Sequence, residues 1–187
     1  MSDHQAMYPV KLLGEKVAIR EFRDDDEDQV LAIVGDDRVT AWLSYNSRTR
    51  EETRAMLAGA VERAQSDPRP DYYLAIVLPD TDRLIGFTRI GLDGVKAGKL
   101  GYALHHDEWG KGYATDAART MMDFGFGDLG LHRISVAIGP ENTGSIAVAE
   151  RLGFRYEGHI RHHVYTNDEW RDSLLYSVLE HEWATVR

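Results

Sequence analysis

A turn carrying two glycines is the part of this sequence best suited to binding an anion. Gly110 and Gly112 follow a predicted strand over residues 100–105 and precede a helical pattern that begins at Thr115. Glycine adopts backbone angles closed to other residues and lets a ligand approach the main chain. The free N–H groups and the dipole of a helix N-terminus attract negative charge. The sequence therefore predicts a phosphate or pyrophosphate site at this turn.

Two other kinds of phosphate-binding turn do not fit the residues present. A Walker A loop requires Ser or Thr directly after its Gly-Lys pair, but Lys111 is followed by Gly112. A dinucleotide fingerprint requires a third glycine where Thr115 stands, and this turn follows several strands instead of opening a strand-helix-strand unit. The side chain of Lys111 either neutralises a phosphate or is a solvated cation.

Two histidines directly before the turn are candidates for moving a proton. Imidazole titrates near neutral pH, so His105 or His106 can relay a proton from an amine through water. The alternative is that both are exposed loop histidines. No metal site is predicted, because the adjacent His162 and His163 lie on a predicted strand and point to opposite faces.

These segments lie within an alternation of strands and helices. Strands are predicted at residues 16–23, 72–78, 84–92, 100–105, 134–138, 154–165 and 171–179, and helices after Asp24 and at 49–66, 115–129 and 145–152. Thr49 and Glu52 have capping-box spacing at the start of the second helix. The order predicts a mixed α/β sheet in one domain over residues 10–187, after a mobile tail over residues 1–9.

The composition limits the partners that this chain can have. A net charge of −9 argues against binding a nucleic-acid backbone and suits a cationic acceptor such as an amine. The absence of cysteine excludes disulfides, thiolate metal sites and a cysteine nucleophile. No segment approaches the roughly 18 apolar residues of a membrane span, and the N-terminus lacks a signal-peptide pattern. We therefore expect a cytoplasmic protein without a membrane partner.

The glycine turn resembles the acyl-CoA signature of the GNAT acetyltransferase superfamily, Gln/Arg-x-x-Gly-x-Gly/Ala. Gly112, Tyr113 and Ala114 fill the second half of that pattern. Trp109 stands where Gln or Arg is usual, which is also familiar in the RimJ/RimL-type branch. Residues 142–145 and 152–154 resemble the Asn-x-x-Ser and Leu-Gly-Phe segments of that branch, and residues 165–172 resemble its last hairpin. The resemblance covers roughly residues 10–183.

The resemblance implies a GNAT fold that binds acetyl-CoA or another acyl-CoA. That fold is a mixed, mostly antiparallel, splayed sheet of about seven strands flanked by about four helices, and its sheet parts after the strand that ends near Leu104. The implied cofactor contacts are Leu104, His105, Trp109, Gly110, Lys111, Gly112, Tyr113, Ala114, Thr115, Asn142 and Ser145. Ser145 matches a serine thought to donate a proton to the leaving thiolate, and Asn142 matches a residue that holds the pantetheine arm. From the residues alone, Asn142 or Thr143 caps a helix and Ser145 lies in its first turn.

The acceptor is implied to be a primary amine, on a protein N-terminus or on a small molecule. The residues that the resemblance places around it are Trp42, Tyr45, Tyr165, Trp170 and Asp172. Asp172 is a reasonable anchor for a cationic amine, although aromatic residues of a hairpin are more often core residues. A non-catalytic acyl-CoA sensor and a larger donor such as succinyl-CoA remain alternatives. Dimers are common in this branch, so a homodimer is open.

Overall fold

The computed structural model describes residues 8–186, so residues 1–7 of the predicted tail lie outside the described part. Eight strands form one sheet in the order β1-β2-β3-β4-β5-β6-β8-β7. Their bounds are β1 Lys11–Leu13, β2 Ala18–Arg20, β3 Asp71–Val77, β4 Leu84–Leu92, β5 Ala97–Leu104, β6 Arg133–Ile138, β7 Arg155–Thr166 and β8 Glu169–Leu179. All neighbours are antiparallel except β5 and β6. The predicted mixed, mostly antiparallel sheet is confirmed.

Six α-helices cover the two faces and the end of this sheet among the described residues. They are α1 Glu27–Val34, α2 Asp37–Thr40, α3 Arg50–Ala64, α4 Tyr113–Gly127, α5 Thr143–Arg151 and α6 Glu180–Val186. The predicted capping box opens α3: Glu52 N donates to Thr49 Oγ1, and Thr49 N donates to Glu52 Oε2. Helices α2 and α6 were not predicted, because such short segments show no clear helical period.

The sheet separates two apolar clusters. The first cluster lies on the α4 and α5 face and includes Leu100 and Leu104 of β5, whereas Ala103 belongs to the second cluster with α1 and α3 residues. This division follows from the alternation of side chains along a strand. The two faces of β5 therefore pack against different apolar clusters.

Strands β5 and β6 part from each other soon after they begin. They pair only where Ala97, Gly98 and Lys99 face residues 133–135. Beyond Lys99, β5 remains paired with β4 as far as Leu104, and β6 remains paired with β8 as far as Ile138. The predicted splay is present, and it begins five residues before the end of β5. The gap places the inner edges of two strands opposite each other without a ladder between them.

The long hairpin of β7 and β8 is attached to the loop that follows α2. The Arg171 guanidinium donates to the carbonyl oxygens of Ala41 and Leu43. At the tip of the hairpin, Asn167 N donates to Asn46 Oδ1 at 2.9 Å. The loop and the hairpin are thus held together on one face of the sheet. No helix among residues 8–186 combines the length and apolar character needed to cross a membrane.

Candidate functional site

The turn between β5 and α4 has the backbone conformation that its glycines predict. Gly110 and Gly112 have φ angles of +74° and +83°, in the left-handed region that favours glycine. Gly112 is the N-cap of α4 and carries no side-chain cap. The first N–H groups of this 15-residue helix therefore lie at an exposed turn, where an anion can approach the main chain.

Trp109 connects this turn to the end of β5. Its indole Nε1 donates to Leu104 O at 3.1 Å, while the ring itself remains exposed. The tryptophan that stands in place of Gln or Arg thus braces the turn against the strand. The exposed ring face is the part of Trp109 that is left available to a ligand.

Lys111 is already paired with a carboxylate in the turn. Its Nζ lies 2.9 Å from Glu108 Oε2, and Arg83 Nη2 lies 2.8 Å from Glu108 Oε1. Hydrogen bonds from Lys111 and then Arg83 lower the pKa of the buried Glu108 carboxyl. A cation paired in this way has less attraction left for a phosphate than an unpaired lysine would have.

The N–H groups of β5 that face the gap can be identified from the ladder with β4. His105 N donates to Ile85 O at 2.8 Å, so His105 makes its hydrogen bonds on the β4 side. Because hydrogen-bonded and non-hydrogen-bonded pairs alternate in an antiparallel ladder, the N–H groups of Leu104 and Tyr102 face away from β4. These two groups point into the gap between β5 and β6.

A narrow, mostly apolar cleft lies between this gap and helices α4 and α5. Its walls are formed by Leu100, Tyr102, Ala118, Val136, Val148, Ala149, Leu152 and Phe154. Burial raises the pKa of the Tyr102 phenol, and the nearby Ser145 side chain opposes this effect. Sequence reasoning missed Tyr102. The strand alternation that places it beside Leu100 and Leu104 on the cleft side was the available signal.

Helix α5 begins as the local reading of its sequence predicts. Asn142 is the N-cap, and its Oδ1 accepts from Ser145 N at 3.1 Å. The Asn142 amide nitrogen and the Ser145 hydroxyl are not used by this cap. The same two residues can therefore start the helix and keep polar groups available to a ligand.

The remaining predicted cofactor contacts of α4 lie in its first turn. Thr115 is buried, and its Oγ1 accepts from Arg151 Nη1 at 3.0 Å, which links α4 to α5. The half-buried Tyr113 and Ala114 pack against the first apolar cluster. Thr115 thus faces the interior, and this turn offers a ligand its main chain more than its side chains.

The two histidines after β5 occupy different surroundings. His106 Nε2 lies 2.7 Å from Asp107 Oδ1, and its Nδ1 lies 3.1 Å from Asp36 Oδ2, an ion-pair distance without hydrogen-bond angles. His105 Nδ1 accepts from Asp107 N at 3.3 Å, and its Nε2 has no hydrogen-bond partner among residues 8–186. His105 is therefore better placed than His106 to accept a proton from a substrate.

Among the described residues, His105, His106 and Asp107 bring potential metal-ligand atoms within 4.8 Å of one another. The sequence predicted no metal site. Both nitrogens of His106 face carboxylates, Asp107 within this group and Asp36 outside it.

The predicted acceptor residues fall into two groups on opposite faces of the hairpin. Arg171 faces the loop that carries Trp42 and Tyr45. Side chains alternate along β8, so Trp170 and Asp172 point to the other face. Tyr165 lies with them, because its ring centroid is 5.2 Å from that of Trp170. The structure does not bring the five residues into one wall.

Asp172 and Tyr45 each have partners within the protein. Asp172 Oδ1 accepts from His162 N, and its Oδ2 lies 2.7 Å from His159 Nε2. The Tyr45 ring packs against the second apolar cluster, beneath the Arg48 guanidinium at 4.3 Å. Burial raises the pKa of the Tyr45 phenol. Of the two predicted loop residues, Trp42 is the more exposed, with 44% of its surface accessible.

Comparison with known proteins supplies the family. Residues 16–155 match the family described as "Acetyltransferase (GNAT) domain". The probable N-acetyltransferase YjcK of Bacillus subtilis is 30% identical over 176 residues, covering 90% of this chain and 96% of YjcK.

Two solved structures share the fold. A GNAT-family acetyltransferase from Bacillus anthracis has a TM-score of 0.82 and 26% identity, covering 92% of this chain and 100% of that one. RimJ of Mycobacterium smegmatis, in complex with CoA-disulfide, has a TM-score of 0.80 and 23% identity, covering 95% of each chain. The predicted GNAT fold is confirmed.

Proposed function

The chain belongs to the GNAT acetyltransferase family, and we propose that it transfers an acetyl group from acetyl-CoA directly to a primary amine. The observation that carries this proposal is the gap between β5 and β6, which opens beside the glycine turn of α4. An extended thioester arm fits between strands whose inner edges keep free main-chain groups. A pyrophosphate fits a glycine turn at a helix N-terminus. An acyl-CoA donor carries both of these parts, a pyrophosphate and an extended thioester arm.

The main-chain N–H groups of Tyr102 and Leu104 are proposed to stabilise the oxyanion that develops on the thioester carbonyl oxygen. A donor held towards the developing oxyanion is usually the largest catalytic contribution, and removing one typically costs about a hundredfold or more in kcat. Because these donors belong to a strand that β4 holds on its other side, they need no rearrangement during the reaction. The second contribution is proximity of the amine to the fixed carbonyl carbon.

Proton transfers accompany the exchange of bonds. The amine nitrogen forms a bond to the carbonyl carbon, the C–S bond breaks, and CoA leaves as a thiolate that must gain one proton. Ser145 is proposed to pass to the thiolate the proton that the nitrogen loses once the C–N bond has formed, and the Tyr102 side chain lies close to Ser145. Before the attack, the ammonium form of the acceptor loses one proton, through water, to His105 Nε2. An α-amine with a solution pKa of about 8 needs little help to do so near neutral pH.

The acceptor is proposed to approach from the loop that follows α2. His106, the neighbour of His105, contacts Asp36 at the start of α2, and Trp42 lies just beyond that helix. A peptide N-terminus and a small cationic amine both suit this side, since carboxylates lie close to it. The acidic net charge of −9 favours cationic acceptors in general.

Release of free thiol from acyl-CoA tests the proposal. Acetyl-CoA and succinyl-CoA would each be offered with Ala- and Ser-initiated peptides, polyamines and aminoglycosides, and a disulfide dye would follow the thiol. We expect acetyl-CoA to give amine-dependent release, with the acylated amine identified by mass spectrometry. A reaction without amine measures thioester hydrolysis and serves as the control.

The pattern of release discriminates between the alternatives. A signal with peptides alone indicates an N-terminal acetyltransferase, and a signal with polyamines or aminoglycosides indicates a small-molecule acetyltransferase. Release that requires succinyl-CoA contradicts acetyl as the donor group. Measurable binding of CoA without release for any pair favours the sensor function and contradicts the proposal.

A further inference from the structure

The turn between β1 and β2 is fixed to the first helical turn of α4 by one buried carboxylate. Asp116 accepts from Glu15 N at 3.1 Å, from Lys16 N at 2.7 Å and from Val17 N at 3.0 Å. The Asp116 side chain lies in the interior, with 5% of the residue exposed. Three main-chain donors on a single buried carboxylate make a strong, directional attachment, because hydrogen bonds to a charged acceptor are about twice as strong as neutral ones.

Gly14 allows this turn to lie directly against α4. A Cβ at Gly14 would stand 2.5 Å from Asp116 Oδ2 and 2.7 Å from Thr120 Oγ1, which is closer than real Cβ contacts. Gly14 N also donates to Val17 O at 2.8 Å and closes the turn. The orientation of the turn is therefore determined by close contact as well as by the carboxylate.

This attachment places the Lys16 side chain over the glycine turn. Lys16 Nζ donates to Lys111 O at 3.2 Å. The same nitrogen lies 2.9 Å from the position that a Cβ would take on Gly112. Lys16 is exposed, and no second hydrogen bond of its Nζ is found among residues 8–186. No carboxylate lies within ion-pair distance of it among residues 8–186, whereas Lys111 is paired with Glu108.

We propose that Lys16 is a cofactor-binding residue that neutralises the pyrophosphate held at the glycine turn, and that Asp116 is the residue that positions it. The inference rests on the proposed acyl-CoA donor. Sequence alone suggests Lys111 for this role, because Lys111 lies in the glycine motif and Lys16 lies outside it. Lys16 supplies a mobile, unpaired positive charge, and the backbone N–H groups supply fixed donors. A diphosphate needs both, because the dipole of one helix offsets only about half a unit charge.

Calorimetry on the full chain with two ligands tests the assignment. CoA carries both the pyrophosphate and a 3′-phosphate, and dephospho-CoA carries the pyrophosphate alone. We expect Lys16→Ala to weaken both ligands by the same factor of about ten. Lys16→Arg should retain most of the affinity. Lys11→Ala, which removes an exposed lysine of β1, is the matched control and should leave both dissociation constants unchanged.

Several outcomes overturn the assignment. Unchanged affinity for both ligands in Lys16→Ala would refute it while leaving the proposed function intact, since the unmodified protein would still bind CoA. A loss restricted to CoA would place Lys16 at the 3′-phosphate and also refute the assignment. A greater loss in Lys111→Ala than in Lys16→Ala would return the role to Lys111. Failure of the unmodified protein to bind either ligand would refute the proposed function itself.

Coupling between the two residues tests the positioning role of Asp116. In an Asp116→Asn background, Lys16→Ala should weaken CoA less than threefold, because the lysine is no longer held over the turn. A purely structural role would leave the tenfold effect of Lys16→Ala unchanged and would contradict the proposal. If Asp116→Asn does not fold, Gly14→Ala provides the same test, since its Cβ must move the turn away from α4.

Discussion

The donor end and the acceptor end of this site are built in different ways. At the donor end, the glycine turn is braced by Trp109 and by the buried carboxylates of Glu108 and Asp116. At the acceptor end, exposed aromatic side chains stand on a loop and on a hairpin, and they face different directions. In the proposed function, cofactor binding would therefore depend on the main chain and on buried charges. Acceptor choice would depend on surface side chains, which can change without disturbing the proposed donor end.

The strongest test of the donor end is Gly112→Asp. We expect CoA affinity to fall by roughly a thousandfold, because a like charge would face the pyrophosphate and residue 112 has φ +83°. The new carboxylate would also stand beside Lys16 Nζ and compete for its charge. Calorimetry with CoA measures the effect.

Gly94→Asp is the matched control for this substitution. Gly94 has φ +68° and open space around its Cβ, so the backbone strain is similar while the phosphate site is untouched. CoA affinity should be unchanged in that variant. Equal affinities in the two variants would mean that the turn at Gly112 does not bind the cofactor.

Ser145→Ala tests the proposed transfer of a proton through Ser145 to the leaving thiolate. We expect kcat to fall about a hundredfold with little change in the KM for acetyl-CoA, since general acid catalysis typically contributes such factors. The cap of α5 uses the backbone N of Ser145, so the helix keeps its start. Thr143→Ala, in the same helical turn, is the control. An unchanged kcat would remove Ser145 from the proton path.

Trp42→Ala and Trp170→Ala compare the two faces of the acceptor end. We expect Trp42→Ala to raise the acceptor KM several-fold, because truncating an aromatic contact of an exposed site typically costs about 1 kcal/mol. Trp170→Ala, on the other face of the hairpin, should change it little, and neither should alter the KM for acetyl-CoA. Steady-state kinetics with the best acceptor measures both. The reverse ranking would move the acceptor to the hairpin face.

Asp36→Asn gives the smallest expected effect, on stability in acid. Hydrogen bonding from Arg38 lowers the pKa of Asp36 to about 2. A lowered folded-state pKa contributes stability above the unfolded value near 4, and this contribution is lost as the pH falls towards 2. Melting temperatures between pH 5 and pH 2 should therefore fall less steeply in the variant. Asp80→Asn, at an exposed turn, is the control and should show the same pH dependence as the unmodified protein. The prediction would be contradicted if the melting temperature of Asp36→Asn fell with pH as steeply as that of the unmodified protein.

Much of the fold follows from local patterns in the sequence. The glycine turn, the capping box at Thr49 and Glu52, and the cap of α5 by Asn142 each involve residues a few positions apart. Such features are determined by the allowed backbone angles and by nearby donors and acceptors. The short strand β1 and the short helices α2 and α6 lacked enough residues to show a period.

The sequence by itself determined every strand except β1, the helices α1, α3, α4 and α5, and the conformation of the glycine turn. Only the tertiary structure decided which lysine stands over that turn and which aromatic residues share a face. Lys16 N and Asp116 are 100 positions apart, and Lys16 Nζ reaches the carbonyl of a residue 95 positions away. No local period encodes contacts of that kind, because they arise only when packing brings separate elements together.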